Sequence, residues 1–113
     1  MSEITQIYNE ADKLKDAGQL DEAVAKFKEA LAIDENNVLT HLALSVCYGK
    51  LAQHALSVEH AEKACELEPT DPFNFTALSV TYQRAFEGTR DEIYIQKAEE
   101  AKYRGEVARG GAQ

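Results

Sequence analysis

The sequence predicts an all-α protein, a right-handed α-α superhelix of three antiparallel helix pairs. Three observations carry this. First, Ala43-Leu44-Ser45-Val46-Cys47-Tyr48 returns as Ala77-Leu78-Ser79-Val80-Thr81-Tyr82, with five of six positions identical and an offset of 34 residues. A fixed period of this length marks stacked supersecondary units. Second, apolar residues recur at helical spacing between short polar breaks along the whole chain. Third, six Gly and two Pro in 113 residues leave few turns, and sheets need more of them.

The elements are taken in chain order. A first helix is expected over about Glu3 to Ala17, where Ile4, Ile7, Tyr8, Ala11 and Leu14 share a face and Gly18 supplies a C-terminal stop. A second runs from about Asp21 to Ile33, with Ala23, Val24, Phe27, Ala30 and Leu31 on one side. Asp34-Glu35-Asn36-Asn37 breaks the chain, and Asn36 or Asn37 can cap the next helix. The third helix, about Val38 to Leu51, is apolar nearly all round, as a helix is when neighbours sandwich it or it presents a binding face. The fourth covers about Gln53 to Leu67. Glu68-Pro69-Thr70-Asp71-Pro72 ends it and starts the fifth, with Asp71 as N-cap and Pro72 at the first helical position. The fifth is expected to stop at Phe86, broken by Glu87-Gly88-Thr89-Arg90. Thr89 and Glu92 have capping-box spacing, and the sixth helix should run from Asp91 to Val107 or beyond. Arg109-Gly110-Gly111-Ala112-Gln113 reads as a frayed tail.

Composition bounds the function. A chain of 113 residues suits one domain, 1–113, with repeats at about 4–37, 38–71 and 72–105 and a tail at 106–113. The net charge is −8. Residues 1–37 carry nine acids and four bases, residues 38–71 five and two, and residues 72–113 six and six. An acidic body repels phosphate backbones, so no nucleic acid is expected as a partner. Lys97, Lys102, Arg104 and Arg109 read as cations near a helix C-terminus, where the dipole favours them. Cys47 and Cys65 sit in apolar helical contexts without metal or redox spacing and read as buried free thiols. Met1-Ser2-Glu3-Ile4-Thr5 carries no basic n-region, and no stretch approaches the ~20 apolar residues that span a bilayer. The expectation is a cytoplasmic protein with no membrane role.

The residues at repeat spacing resemble a known family. Gly18, Leu20, Ala23, Phe27 and Ala30 in the first repeat, His41, Leu44, Ser45, Tyr48, Ala64 and Pro69 in the second, and Phe75, Leu78, Ser79, Tyr82 and Ala98 in the third are similar to the pattern of the tetratricopeptide repeat. There are departures. Ile7, Ala11 and Leu14 replace an aromatic, Gly and Tyr; Glu10 stands for Leu and Glu35 for Pro; Ser57 and Ala61 replace Ala and Phe. Asp91 stands where a small buried Ala is usual. A buried unpaired carboxylate is unfavourable, so Asp91 is expected to cap a helix, with the third turn rearranged around Gly88. By the resemblance, small residues (Ala11, Ser45, Ser79, Ala23, Ser57) let paired helices approach. Leu14, Tyr48 and Tyr82 fill the space beside them against Phe27 and Ile95.

The resemblance also implies a concave face lined by the first helix of each pair. By position this comprises Thr5, Tyr8, Asp12 and Lys15, then Leu39, Leu42, Val46 and Lys50, then Phe73, Thr76, Val80 and Arg84. The peptide-binding set is Tyr8, Leu39, Leu42, Val46, Lys50, Phe73, Thr76, Val80 and Arg84. An exposed apolar patch at its centre would mark an interaction site, taking a peptide or helix segment of another protein. Two other uses compete for it. It can be covered by the end of the last helix (Tyr103, Val107), or it can serve a self-associating assembly module or a small bacterial-type secretion or assembly chaperone. Three repeats without a polar cap would leave adhesive ends, making a homo-oligomer the alternative. The family's clamp for a C-terminal carboxylate falls on Tyr8, Asp12, Ala43, Phe73 and Ala77, none of which matches, so acidic chaperone tails are not expected to bind.

Catalysis finds no constellation. His41 occupies an aromatic packing position. His54 and His60 are six apart on one helix, off the i, i+4 spacing of a metal pair. Glu59, Glu62, Glu66 and Glu68 read as a solvated face. No catalytic residue, metal or cofactor is expected.

Overall fold

The computed structural model describes residues 2–110. They form α1 (Glu3–Asp16), α2 (Leu20–Ile33), α3 (Val38–Lys50), α4 (His54–Leu67), α5 (Pro72–Thr89) and α6 (Ile93–Ala108), with no strand among them. Met1 and Gly111-Ala112-Gln113 lie outside the described residues, so most of the expected tail does too.

The helix ends are set by local chemistry. Ser2 Oγ accepts the Thr5 N–H at 3.2 Å, Asn37 Oδ1 accepts the Thr40 N–H at 2.9 Å, and Asp71 Oδ1 accepts the Phe73 N–H at 3.0 Å. Each satisfies a donor that the first turn leaves unpaired. The first two pairs then turn identically. Gln19 N–H donates to Leu14 O and Gln53 N–H to Tyr48 O, both at 2.9 Å, and these partners are 34 residues apart. The left-handed residue between them is Gly18 (φ 80) in one turn and Ala52 (φ 59) in the other.

Consecutive helices pack as pairs, and each odd helix also packs on the pair before it. The backbones of α1, α3 and α5 approach one another within 8 Å in sequence order, whereas those of α2, α4 and α6 do not. The odd helices therefore line the inner side of a curved array and the even helices fan out behind them. The thinnest dimension, 19 Å, is that of two helix layers of ~10 Å each.

The interior has two apolar clusters. Phe27, Leu44, Cys47 and Tyr48 with Ala11, Ala23, Val24 and Ala43 form the first. Phe75, Leu78, Tyr82 and Cys65 with Val58, Ala61, Ala85, Ala98 and Ala101 form the second. The expected small residues Ala11, Ala23, Ser45, Ser57 and Ser79 are all buried. Between the clusters runs a polar seam. Ser57 Oγ donates to Ser45 O at 2.7 Å, and Ser45 Oγ lies 3.4 Å from Thr81 Oγ1. Seating each hydroxyl on a backbone or hydroxyl oxygen removes the penalty of burying it.

The third pair departs from the expectation. Helix α5 does not stop at Phe86 but runs to Thr89, 18 residues against 13 in α3. It closes on Arg90 in the left-handed conformation (φ 62). Gly88 is inside the helix rather than breaking it, and an added Cβ there would meet the ring of His54. The Thr89–Glu92 capping box does not form, because Glu92 makes no side-chain cap. Instead Thr89 Oγ1 accepts the Asp91 N–H and Asp91 Oδ1 accepts the Ile93 N–H, each at 3.1 Å. Asp91 is thus an exposed cap, as expected. The longer α5 delays α6 and shifts its register. Ile95, expected against Tyr82, is 47% exposed, and Tyr94 stacks on Tyr82 at 6.0 Å in its place.

Candidate functional site: the inner face of the odd helices

The inner face combines exposed apolar side chains with rigid supports. Leu39, one residue into α3, is 62% exposed, and Phe73, in the first turn of α5, is 63% exposed. Both stand beside a side-chain N-cap that fixes the start of their helix. Leu42 and Val46 come next on α3 and are half-buried, while Val80 on α5 is exposed. Their helix holds them apart from the core because Thr40, Ala43, Leu44 and Cys47, on the other faces of α3, are buried.

The nine expected residues do not share one pocket. Tyr8 and Leu39 line a cleft of about 250 Å³ between α1 and the start of α3, together with Ile4, Thr5, Asn9 and Asn37. Thr76 and Val80 line another, of about 200 Å³, between α5 and the end of α6. There the Arg109 guanidinium reaches the Thr76 hydroxyl at 3.5 Å. Leu42 and Val46 lie along α3 between these clefts in chain order. Lys50 and Arg84 are exposed near the C-terminal parts of α3 and α5. Tyr103 and Val107 stay exposed, so it is Arg109 rather than an apolar lid that comes back onto α5. Asn9 and Arg109 carry no repeat signature, and Arg109 was legible only as a cation near a helix C-terminus.

Electrostatics differ along the face. Asp12 and Lys15 pair at 3.2 Å on α1. Burial draws the Lys15 pKa down, but the Asp12 hydrogen bond and the charges of Asp12, Asp16 and Tyr8 outweigh it, so the ammonium is held more firmly than usual. Burial, and then the Asp12 charge, push the Tyr8 phenol up. Tyr8, Asp12, Ala43, Phe73 and Ala77 on the same three helices offer no cation.

Reactive groups elsewhere are subdued. Both thiols are free and buried. Burial raises the Cys47 pKa and pushes Cys65 up to about 11, far from the thiolate that nucleophiles need. Among the described residues, no three His, Cys, Asp or Glu side chains are grouped to hold a metal, and no helix is long and apolar enough to cross a membrane. Two contacts fall outside the sequence reading. Glu62, read as part of a solvated face, accepts a hydrogen bond from the Tyr82 hydroxyl. His60 meets His41 across two helices. Neither pairing obeys the 34-residue period, so the repeat pattern could not reveal it.

The chain is similar in fold to solved structures. The family model described as TPR repeat matches residues 11–51. No curated protein matches the chain. Among solved structures, the chain is similar to the first TPR of Spaghetti (RPAP3) bound to HSP90 peptide SRMEEVD, with a TM-score of 0.65 and 14% identity over 95% of this chain and 93% of that one. It is also similar to the Yersinia enterocolitica type III secretion translocator chaperone SycD in an alternative dimer, with a TM-score of 0.61 and 14% identity over 94% and 91%. SycD in complex with a peptide of the translocator YopD gives 0.60 and 13% over 96% and 94%.

Proposed function

We propose that the chain is a tetratricopeptide-repeat protein and an interaction scaffold whose inner face takes a peptide or helix segment of a partner protein. The observation that carries this is the exposure of Leu39 and Phe73 on helices whose other faces are buried. Burying a Leu or Phe side chain contributes up to roughly 1.5–3 kcal/mol, which makes these two the anchors of the contact, with Leu42, Val46 and Val80 beside them. Tyr8 and Thr76 flank them, and Lys50 and Arg84 add charge selectivity at one edge. Similar proteins bound to peptides of HSP90 and YopD support the reading by shape. The clamp positions do not favour an acidic chaperone tail.

Residues 1–113 work as one domain of three repeats on this reading, without catalysis or cofactor, in the cytoplasm. Neither nucleic acid nor membrane is a partner. A second reading is a small secretion or assembly chaperone or a self-associating module, supported by the likeness to SycD. Against head-to-tail stacking, Gln6, Asn9, Glu10 and Lys13 are exposed on α1. They occupy the positions of Thr40, Ala43, Leu44 and Cys47, which are buried one repeat later.

Panning a displayed random-peptide library against the wild type and against Leu39→Glu/Phe73→Glu tests the scaffold. Peptides selected by the wild type and lost in the variant are expected; peptides retained equally would overturn the inner-face assignment. Sedimentation across a concentration range tests the self-associating module, which requires a concentration-dependent oligomer.

A further inference from the structure

Two histidines meet nitrogen to nitrogen in the middle of the array. His41 Nδ1 on α3 and His60 Nδ1 on α4 are 3.0 Å apart. The other nitrogen of His41, Nε2, lies 2.8 Å from the Glu35 carbonyl in the loop between α2 and α3. A carbonyl only accepts, so His41 Nε2 carries a hydrogen. In the neutral ring its Nδ1 is then bare and must accept. His60 therefore donates from Nδ1, which leaves His60 Nε2 as the bare nitrogen. One tautomer of each ring satisfies the whole relay from His60 through His41 to Glu35.

We propose that this pair is an acid-sensitive latch on the second repeat, closed with no added proton or with one and open with two. The first proton goes to His60 Nε2 and leaves the Nδ1–H donor in place. The second has only His41 Nδ1 to bind, which sets N–H against N–H across 3.0 Å. His41 is 6% exposed, so water cannot relieve the conflict without the helices parting. The rings are also confined: His41 and His60 meet edge to edge with their planes 30° apart, and Tyr48 stacks on His60 at 5.6 Å.

The charged surroundings do not offset this. Glu59, Glu62, Lys63 and Glu66 on α4 line a cleft of about 420 Å³ with the two rings. Glu62 is taken by Tyr82, and Lys63 pairs with Glu66 at 3.8 Å. Burial lowers the His60 pKa most, the His41 ring and Lys28 on α2 lower it further, and only Glu59 opposes them. The unfolded chain therefore takes up this proton near the ordinary value of 6.5, and the folded chain only at lower pH. His60's own contribution is complete above about pH 6.5 and is lost as pH falls through its folded value, and the latch opens only when a second proton follows. Because α3 also carries Leu39, Leu42 and Val46, opening would loosen the centre of the binding face. That consequence rests on the scaffold reading; the latch does not.

The test needs no partner. Long-range ¹H–¹⁵N spectra of the wild type at pH 8 are expected to show His60 as the Nδ1–H tautomer and His41 as the Nε2–H tautomer. His60 in the Nε2–H form overturns the proposal. Urea unfolding at pH 8 and pH 5 then compares the wild type with His41→Asn, whose amide oxygen replaces the Nδ1 acceptor and takes no proton. Each proton bound by the unfolded chain alone lowers the folding constant by up to about tenfold per pH unit. The variant should lose about fivefold or more of the wild-type acid drop, while His54→Asn retains it. Equal drops in wild type and His41→Asn overturn the latch. Should His41→Asn fail to fold at pH 8, the wild-type tautomers decide alone.

Discussion

The Tyr82 hydroxyl on α5 donates its hydrogen to the Glu62 carboxylate on α4, tying the third repeat to the second through the side of the array. The ring above that hydroxyl belongs to the second apolar cluster. Tyr82→Phe keeps the packing and removes the donor. The loss is expected to be roughly 1–3 kcal/mol, read from the urea midpoint at pH 7. A midpoint within error of the wild type would mean that water replaces the phenol freely.

The same contact gives an alkaline signature. Burial first, and then the Glu62 hydrogen bond and charge, raise the Tyr82 pKa above its ordinary 10.0. The folded state thus keeps a proton that the unfolded chain releases. This contribution is full below pH 10 and is lost as pH rises through the folded value. Wild type should lose stability above about pH 10 more steeply than Tyr82→Phe. Parallel pH profiles would refute the coupling.

Ala52 holds a left-handed conformation, φ 59, at the position of Gly18 one repeat earlier. A Cβ in this region crowds the backbone, whereas Gly does not. Ala52 lies just beyond the end of α3, so the helix itself loses nothing. Ala52→Gly should raise stability by about 0.5–1 kcal/mol, seen as a higher melting temperature. Gly18→Ala should lower it, and a fall in both would show that the two turns are not equivalent.

Two glycines inside helices should respond oppositely to alanine. At Gly105 a new Cβ would lie 3.2 Å from Phe75 Cβ, and Phe75 is buried and close to its own backbone. At Gly88 the new Cβ would overlap His54, but only the far end of that ring. His54 can turn away, and alanine gains about 1 kcal/mol of helix propensity over glycine. Thermal melts should place Gly88→Ala above Gly105→Ala, despite the closer nominal contact at Gly88. The reverse order would mean that His54 is locked.

Leu39 and Phe73 are mostly exposed, so Leu39→Glu/Phe73→Glu should change stability by no more than about 0.5 kcal/mol per site. Far-UV circular dichroism and a urea curve like those of the wild type are expected. A large loss of helix would mean that these side chains serve the fold.

The first four helices and the start of the fifth were legible because their signals are local: apolar spacing, Asn37 and Asp71 as caps, Gly18 as a stop. The third pair was less so. Gly88 and Arg90 looked like a break, yet a single helical glycine costs only about 1 kcal/mol, and here it makes room for the His54 ring. Arg90 then takes the left-handed cap that a glycine would normally advertise. The error propagated, because counting 34 residues past that turn put Ile95 in the core in place of Tyr94. The inner face was laid out by counting along the odd helices. The division of its residues between two clefts depends on where α6 ends, and so could not be counted. His41 with His60 and Tyr82 with Glu62 join residues about twenty positions apart on different helices, a spacing with no periodic signature.

The longer α5 bears on how freely the units can be exchanged. The first two pairs share a turn, atom for atom in its hydrogen bonds, so that joint can be exchanged between them. Their outer faces cannot, because residues 4–37 in place of 38–71 would set Glu10 and Lys13 where Leu44 and Cys47 are buried. The third pair is a fitted part. Its partner helix is seated for an α5 of 18 residues, so recombination at the 34-residue interval would present Ile95 to the interior and leave Tyr82 without Tyr94. The turn between paired helices is the portable part of this protein, while its rear must travel as one block.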